Sequence, residues 1–471
     1  MTRDDGISIM VLEMSIRGRS LPILFALGLS AVPALPAGAA AQQSMPSPRD
    51  VRVSALVDAI SAARIERDVR TLVGFGTRHT LSDTLSATRG IGAARRWIRA
   101  ELDAISAACG GCLEVSYQRA LIAGESRVPD STWVVSVVAI LHGTTEPDRY
   151  AIMTGDVDSR VSDVMNAVDS APGANDNASG MAGVLEAARV ITASGHRFPA
   201  SIVFAGLSGE EQGLYGGERM AEIARHEEWR IEAVLNNDMI GNVEGVDGVT
   251  DDTTARVFSE SPPAGTTQED LRRMRVFGGE VDGPSRQLAR YVDRIADQYL
   301  PNLDVLMVYR LDRFGRGGHH RPFNDAGFPA VRIMETHENY TRQHQDVRTE
   351  DGVAYGDVIE GVDFDYAATL TALNVATLAS LAWAPAPPDS LTIAGAVEPA
   401  ARLAWTPVPG AAGYKVYWRE TSSPTWDRWI WVGEATESTM TGLVVDNYFF
   451  GVASVSPEGN ESPVAFPAPT R

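Results

Sequence analysis

The apolar positions along the chain change period several times. From about residue 50 to 106 they recur at three- and four-residue intervals, most clearly in "GIGAARRWIRAELDAIS". That spacing predicts helices with one apolar face. "STWVVSVVAIL" (131–141) is instead a continuous β-branched run, and "YAIMTGD" follows it after the turn-forming "HGTTEPDR". Two such runs close together predict neighbouring buried strands. The alternation then repeats. "GMAGVLEAARVITAS" reads as helix, "ASIVFAGLS" as strand, "YGGERMAEIAR" as helix and "IEAVLNNDMIG" as strand. "SRQLARYVDRIADQY" is a helix, "LDVLMVY" and "FPAVRIME" are strands, and a last helix covers about 364 to 381. Strands alternating with helices predict the α/β class: a three-layer α/β/α sandwich on a mixed, largely parallel sheet. Chemistry on such a sheet collects at the carboxyl ends of the strands.

The pattern breaks at "WAPAPPDS", where prolines cluster, so residues 384–389 are read as a linker between an α/β domain (42–383) and a second domain (390–471). Beyond it come short strands with turn signals: "LTIAGAV", "ARLAWTPV", "GYKVYWRE", "RWIWVGEA", "STMTGLV" and "YFFGVASV". They predict a small all-β sandwich. This domain resembles fibronectin type III, on Trp405, "GYKVYW" (413–418) and the "GLVVDNYFFGV" end with Tyr448. Such a domain spaces or docks an enzyme, so its expected contacts are a surface, a glycan or another protein.

The N-terminus has its own pattern. Arg17 and Arg19 precede an apolar stretch and then a small-residue run ending near Ala41. That order is a secretory signal peptide over residues 1–41, with Met14 as an alternative start. Pro33 and Pro36 break the apolar stretch, and no later segment reads as a membrane span. The expected location is exported, periplasmic or secreted. Cys109 and Cys112, in "CGGC", are the only cysteines. A C-x-x-C pair fits half a zinc site, a redox motif or a local disulfide. Export and the lack of a second pair favour the disulfide, stapling the turn between a helix and a strand.

Charge narrows the partners. The chain carries 61 acids against 41 bases, a formal net charge of −20. That argues against nucleic acid and anionic membrane as main partners. It also leaves carboxylates for metal. Five pieces fall at the end of a predicted strand or in the loop after it: "TGDVDSR", "GANDNASG", "SGEEQGL", "NNDMIG" and "RQHQD". Parallel strands would bring them to one site. Asp156 and Asp158 alone place two like charges side by side, and so dense a cluster of buried acids requires cations. Divalent metals supply them, with carboxylate and imidazole as ordinary ligands. No H-E-x-x-H helix and no G-x-S-x-G elbow is present.

Through these motifs, over about residues 51 to 381, the chain resembles the co-catalytic di-zinc aminopeptidases. The resemblance implies two divalent ions, zinc first, and peptide substrates cleaved at a free N-terminus. Asp176 would bridge both ions, Glu210 would be the general base, and Glu211 and His344 would complete one ion's set. Asp238 would hold the other ion with the residue at 156. Asp158, assigned with Glu210 to the catalytic set, would orient the ligand two residues before it. The departure is Asp156, where the family has histidine. Its ligand set becomes Asp156, Asp176 and Asp238, all oxygen, so Mn, Mg or Ca would compete with zinc there. In "GRGGHHRPF" the family's acid is replaced by His319, and His320 matches its histidine; His320 and Tyr340 are placed on the substrate side. The rival readings are a carboxypeptidase, a single-metal cyclotransferase on the same scaffold, and a non-catalytic binder with a degenerate metal site.

Overall fold

Eight strands build the main sheet: β1 (Leu113–Ile122), β2 (Thr132–Leu141), β3 (Glu146–Asp156), β4 (Ala200–Leu207), β5 (Arg230–Asn237), β6 (Thr254–Phe258), β7 (Asp304–Val308) and β8 (Ala330–Glu335). A computed structural model of the chain describes residues 44–469, so the expected signal peptide lies outside the described residues. The strand order is β1-β2-β4-β3-β5-β8-β6-β7. The central four, β4, β3, β5 and β8, run parallel. Antiparallel pairs flank them: β1 with β2, β2 with β4, and β6 with β8. The sheet is therefore mixed and largely parallel, as the alternating pattern predicts.

Helices cover both faces, which is why the central strands read as unbroken apolar runs. They are α1 (Val51–Asp58), α2 (Ala62–Gly74), α3 (Gly90–Ala108), α4 (Gly180–Ala193), α5 (Glu210–Gly213), α6 (Tyr215–His226), α7 (Gln268–Phe277), α8 (Pro284–Tyr299), α9 (His320–Asp325) and α10 (Phe364–Trp383). Successive strand residues point to opposite faces. Ala151 and Met153 join the core under α2, α3, α4, α8 and α10, while Ile152 joins the core under α6 and α9. Helix α10 is long and apolar enough to cross a membrane, but 89% of its apolar window is buried inside the protein. It is apolar all round because it is surrounded.

The stretch from 243 to 270 shows no clear period in the sequence, yet it contributes β6 and the start of α7. Strand β6 is only five residues long, too short for its period to stand out.

A hairpin, β9 (Arg348–Glu350) with β10 (Val353–Tyr355), precedes α10. After the proline-rich linker come β11 (Thr392–Ala394), β12 (Ala400–Ala404), β13 (Gly413–Glu420), β14 (Arg428–Trp431), β15 (Glu437–Thr441), β16 (Tyr448–Val455) and β17 (Ala468–Pro469). They form two small sheets, β15-β12-β11-β17 and β14-β13-β16. Trp405, Tyr414, Val416, Phe450 and Val452 are buried together in their shared core. The Cys109–Cys112 disulfide closes the turn between α3 and β1.

Buried ion pairs fasten the C-terminal sheets to α8. Glu461 accepts from Lys415 and Tyr417 of β13 and from Arg294 of α8. Asp282 binds Arg290 of α8 at 2.8 Å and Arg419 of β13 at 2.7 Å. Burial opposes ionisation of Glu461, yet Arg294 and Lys415 hold its carboxyl below the usual range. Its contribution is therefore complete above the ordinary glutamate pKa and lost as pH falls through the lowered folded value. Glu461→Gln leaves the buried Lys415 and the part-buried Arg294 without a counter-charge, so it is expected to cost about 3 kcal/mol at neutral pH. The gap between variant and wild type should close on acidification below about pH 4. Chemical denaturation across pH measures both.

Candidate metal centre

Three backbones press together under the site. A Cβ on Gly155 would lie 2.7 Å from the carbonyl carbon of Gly180, and one on Gly180 would lie 2.3 Å from the carbonyl oxygen of Asn237. Only glycine allows β3, β5 and the entry to α4 to approach so closely. Asp156 ends β3, Asp238 follows β5, Asp176 lies in the irregular turn leading into α4, and Glu210 and Glu211 open α5 just after β4. His344 sits in the loop after β8. The strand-end motifs thus converge on a cleft of about 640 Å³ whose lining includes Asp176, Glu210, Glu211, Asp238 and His344.

Among the described residues, Asp176, Glu211 and His344 form a group whose ligand atoms all lie within 4.8 Å of one another. His344 Nε2 is 2.9 Å from Asp176 Oδ2 and 3.0 Å from Glu211 Oε1. Burial opposes ionisation of both acids, but the His344 imidazole holds each carboxyl below its usual range. Two carboxylates and an imidazole converging on one point fit a zinc ion. The backbone around Asp176 is itself fixed: Asp357 accepts from the N–H of Asn175 at 2.8 Å and of Asp176 at 2.6 Å. Gln343 donates to Asp176 Oδ2 at 3.2 Å. Arg160 donates from Nε to Glu211 Oε2 at 2.7 Å, and its Nη2 lies 2.6 Å from His344 Nδ1. A metal on Nε2 would leave the imidazole proton on Nδ1, so Arg160 would then keep Glu211 and the Val161 carbonyl as partners.

Glu210 lines the same cleft, and its carboxyl makes no hydrogen bond among the described residues. Burial, followed by the charges of Glu211, Asp238 and Asp156, pushes it well above the ordinary carboxylate range. An unpartnered carboxyl with a raised pKa suits a proton acceptor.

Asp158 departs from its expected role. Rather than orienting Asp156, its Oδ1 accepts from the N–H of Gly209 at 3.0 Å and of Glu210 at 3.3 Å. Its Oδ2 accepts from the N–H of Glu211 at 3.1 Å and from Thr80 Oγ1 at 2.9 Å. The same-face rule for alternate residues stops at Asp156, because β3 ends there. Asp158 therefore fixes the turn that carries Glu210 and Glu211, and Gly209 makes the turn at φ 78°. Asp158→Ala would leave three buried N–H donors unpaired. It is expected to cost about 3 kcal/mol or more in stability, at 1–3 kcal/mol per orphaned donor. A chemical denaturation midpoint checks this.

The all-carboxylate site expected at Asp156, Asp176 and Asp238 is engaged differently. Asp156 Oδ1 lies 2.6 Å from His319 Nδ1, and its Oδ2 accepts from Asn177 Nδ2 at 2.8 Å. Asp238 Oδ2 lies 2.6 Å from Arg332 Nη2. Its Oδ1 is buried with no hydrogen-bond partner among the described residues. Burial raises the Asp238 carboxyl to about 8, even with Arg332 beside it.

His320 and Tyr340, expected on the substrate side, are absent from the cleft's lining. His320 is fully buried, with Nε2 2.8 Å from the Leu311 carbonyl oxygen and 3.5 Å from Asp312. Tyr340 is exposed. Sequence reasoning missed Arg332, Gln343 and Asp357, and did not assign Arg160 to Glu211.

A family model for peptidase family M28 matches residues 136–358, the span that holds every one of these groups except Thr80. A probable zinc metalloprotease of Leptosphaeria maculans is 42% identical over 427 residues, covering 90% of this chain and 98% of its own length. The chain belongs to peptidase family M28. A probable zinc metalloprotease of Pyricularia oryzae is 41% identical over 446 residues, covering 93% of the M28 chain here and 88% of its own. Among solved structures, the LapA aminopeptidase of Legionella pneumophila superposes with a TM-score of 0.51 at 18% identity, over 72% of this chain and 77% of that one. That likeness speaks for the fold. The M28 chain is a zinc metallopeptidase, and among its described residues Asp176, Glu211 and His344 form a group that could hold a metal ion.

Proposed function

We propose that this peptidase is an exported exopeptidase that removes residues from free peptide N-termini, with Glu210 as general base. The observation that carries the reading is Glu210 itself. Its unpartnered carboxyl shares the cleft with Asp176, Glu211 and His344. A zinc ion on those three residues would polarise the scissile carbonyl and acidify a water. Glu210 takes the proton from the attacking water and returns it to the departing amine. Asp158 keeps Glu210 and Glu211 in place, and Glu218 in the cleft's lining suits a substrate ammonium. Export is supported by the signal-like N-terminus and by the Cys109–Cys112 disulfide, which fits an oxidising compartment, periplasmic or extracellular. The C-terminal sheets, read as a fibronectin type III-like module, would hold the enzyme against a surface, a glycan or a protein.

A second reading, a carboxypeptidase, has one observation in its favour. Arg127 on the cleft wall donates to the Glu211 carbonyl at 2.7 Å and has no carboxylate in ion-pair range among the described residues. A free α-carboxylate would suit it. Peptides blocked at one end or the other separate the two. The N-terminal reading expects cleavage of C-terminally amidated peptides and none of N-acetylated ones; the reverse pattern favours the carboxypeptidase.

A further inference from the structure

We propose that this peptidase works with one divalent ion per chain, at Asp176, Glu211 and His344, and that Arg332 stands permanently in for the other ion of a two-ion centre. The inference rests on the metallopeptidase reading of the same site. Arg332 projects from β8 beside β5, in register with Asn236, and is fully buried. It is anchored from behind: its Nη1 donates to Asp312 Oδ2 at 2.9 Å and to the Gly317 carbonyl at 2.8 Å. Its Nη2 is left to face Asp238 at 2.6 Å. A guanidinium does not give up its proton in proteins, so this cation cannot be switched off to admit another. A dication placed against Asp238 would meet that fixed charge at close range.

Asp156 points the same way. Both of its oxygens are taken, one by His319 Nδ1 and one by Asn177 Nδ2. His319 is fully buried. This explains why an acid stands at 156. A carboxylate accepts from both His319 and Asn177, whereas an imidazole there would set one ring against another and offer at most one acceptor. The two departures from the family's pattern, Asp156 and His319, and the buried Arg332 therefore form one consistent arrangement. Asp238 is paired with the Arg332 guanidinium, and Asp156 is hydrogen-bonded to His319 and Asn177. The positive charge that a second ion would bring beside Asp238 comes instead from Arg332.

The test is zinc content. The full mature chain is stripped with chelator, dialysed to equilibrium against micromolar free zinc, and analysed by inductively coupled plasma mass spectrometry. The wild type should hold one zinc per chain. Asp238→Asn and Asp156→His should also hold one, with circular dichroism confirming that each is folded. Two zinc ions in the wild type, falling to one in Asp238→Asn, would overturn the inference, as would a rise to two in Asp156→His. A wild type that holds no zinc would overturn both this inference and the metallopeptidase reading. One zinc without cleavage of any peptide would leave the stoichiometry standing and sink the proposed function alone.

Discussion

Glu210→Gln should lower kcat by about 10²–10⁴-fold, the usual span for a lost general base, while the protein keeps its zinc. The two halves of that expectation come from different observations. Glu210 makes no hydrogen bond among the described residues, so an amide in its place breaks no network. It is also outside the group that gathers around His344. The amide keeps the size of the carboxyl but cannot take a proton from water. Steady-state kinetics on an aminoacyl chromogenic substrate, with zinc content measured on the same sample, read both. Zinc lost together with activity would instead make Glu210 a ligand.

His344→Ala is expected to lose the metal outright. His344 supplies the only nitrogen in the group, and its Nε2 lies within 3.0 Å of both acids. Without it Asp176 and Glu211 face each other with Arg160 as the nearest cation, and that guanidinium already rests on Glu211 at 2.7 Å. The loss of zinc affinity should exceed the roughly 10–100-fold typical when a supporting residue around a metal ligand is removed. Equilibrium dialysis with zinc measures it. His320→Ala is the control. His320 is buried against Leu311 and Asp312, away from the cleft lining, so that variant should lose stability and keep zinc.

That the strand-end motifs share one cleft was legible in the sequence, because parallel strands end together. Which of their residues would hold an ion came only from the family resemblance. The sheet position of "FPAVRIME" was legible for the same reason, but what Arg332 does there was not. Its partner Asp238 lies 94 residues earlier, and an arginine inside an apolar strand carries no local sign of the acid it meets. Asp158 shows a different limit. Its type and spacing were read correctly, but the rule that pairs it with Asp156 holds only within a strand, and β3 has already ended. "GGHH" stood out for its histidines, yet nothing local told which one turns to Asp156. The structure gives that contact to His319 at 2.6 Å and leaves His320 to support the loop behind Arg332.

Zinc-edge anomalous diffraction from zinc-loaded crystals tests the central claim most directly. The account predicts a single peak within bonding distance of Asp176, Glu211 and His344, with Arg332 still paired to Asp238. A peak bound by Asp156 and Asp238 with Arg332 displaced, or no peak at His344, would contradict it.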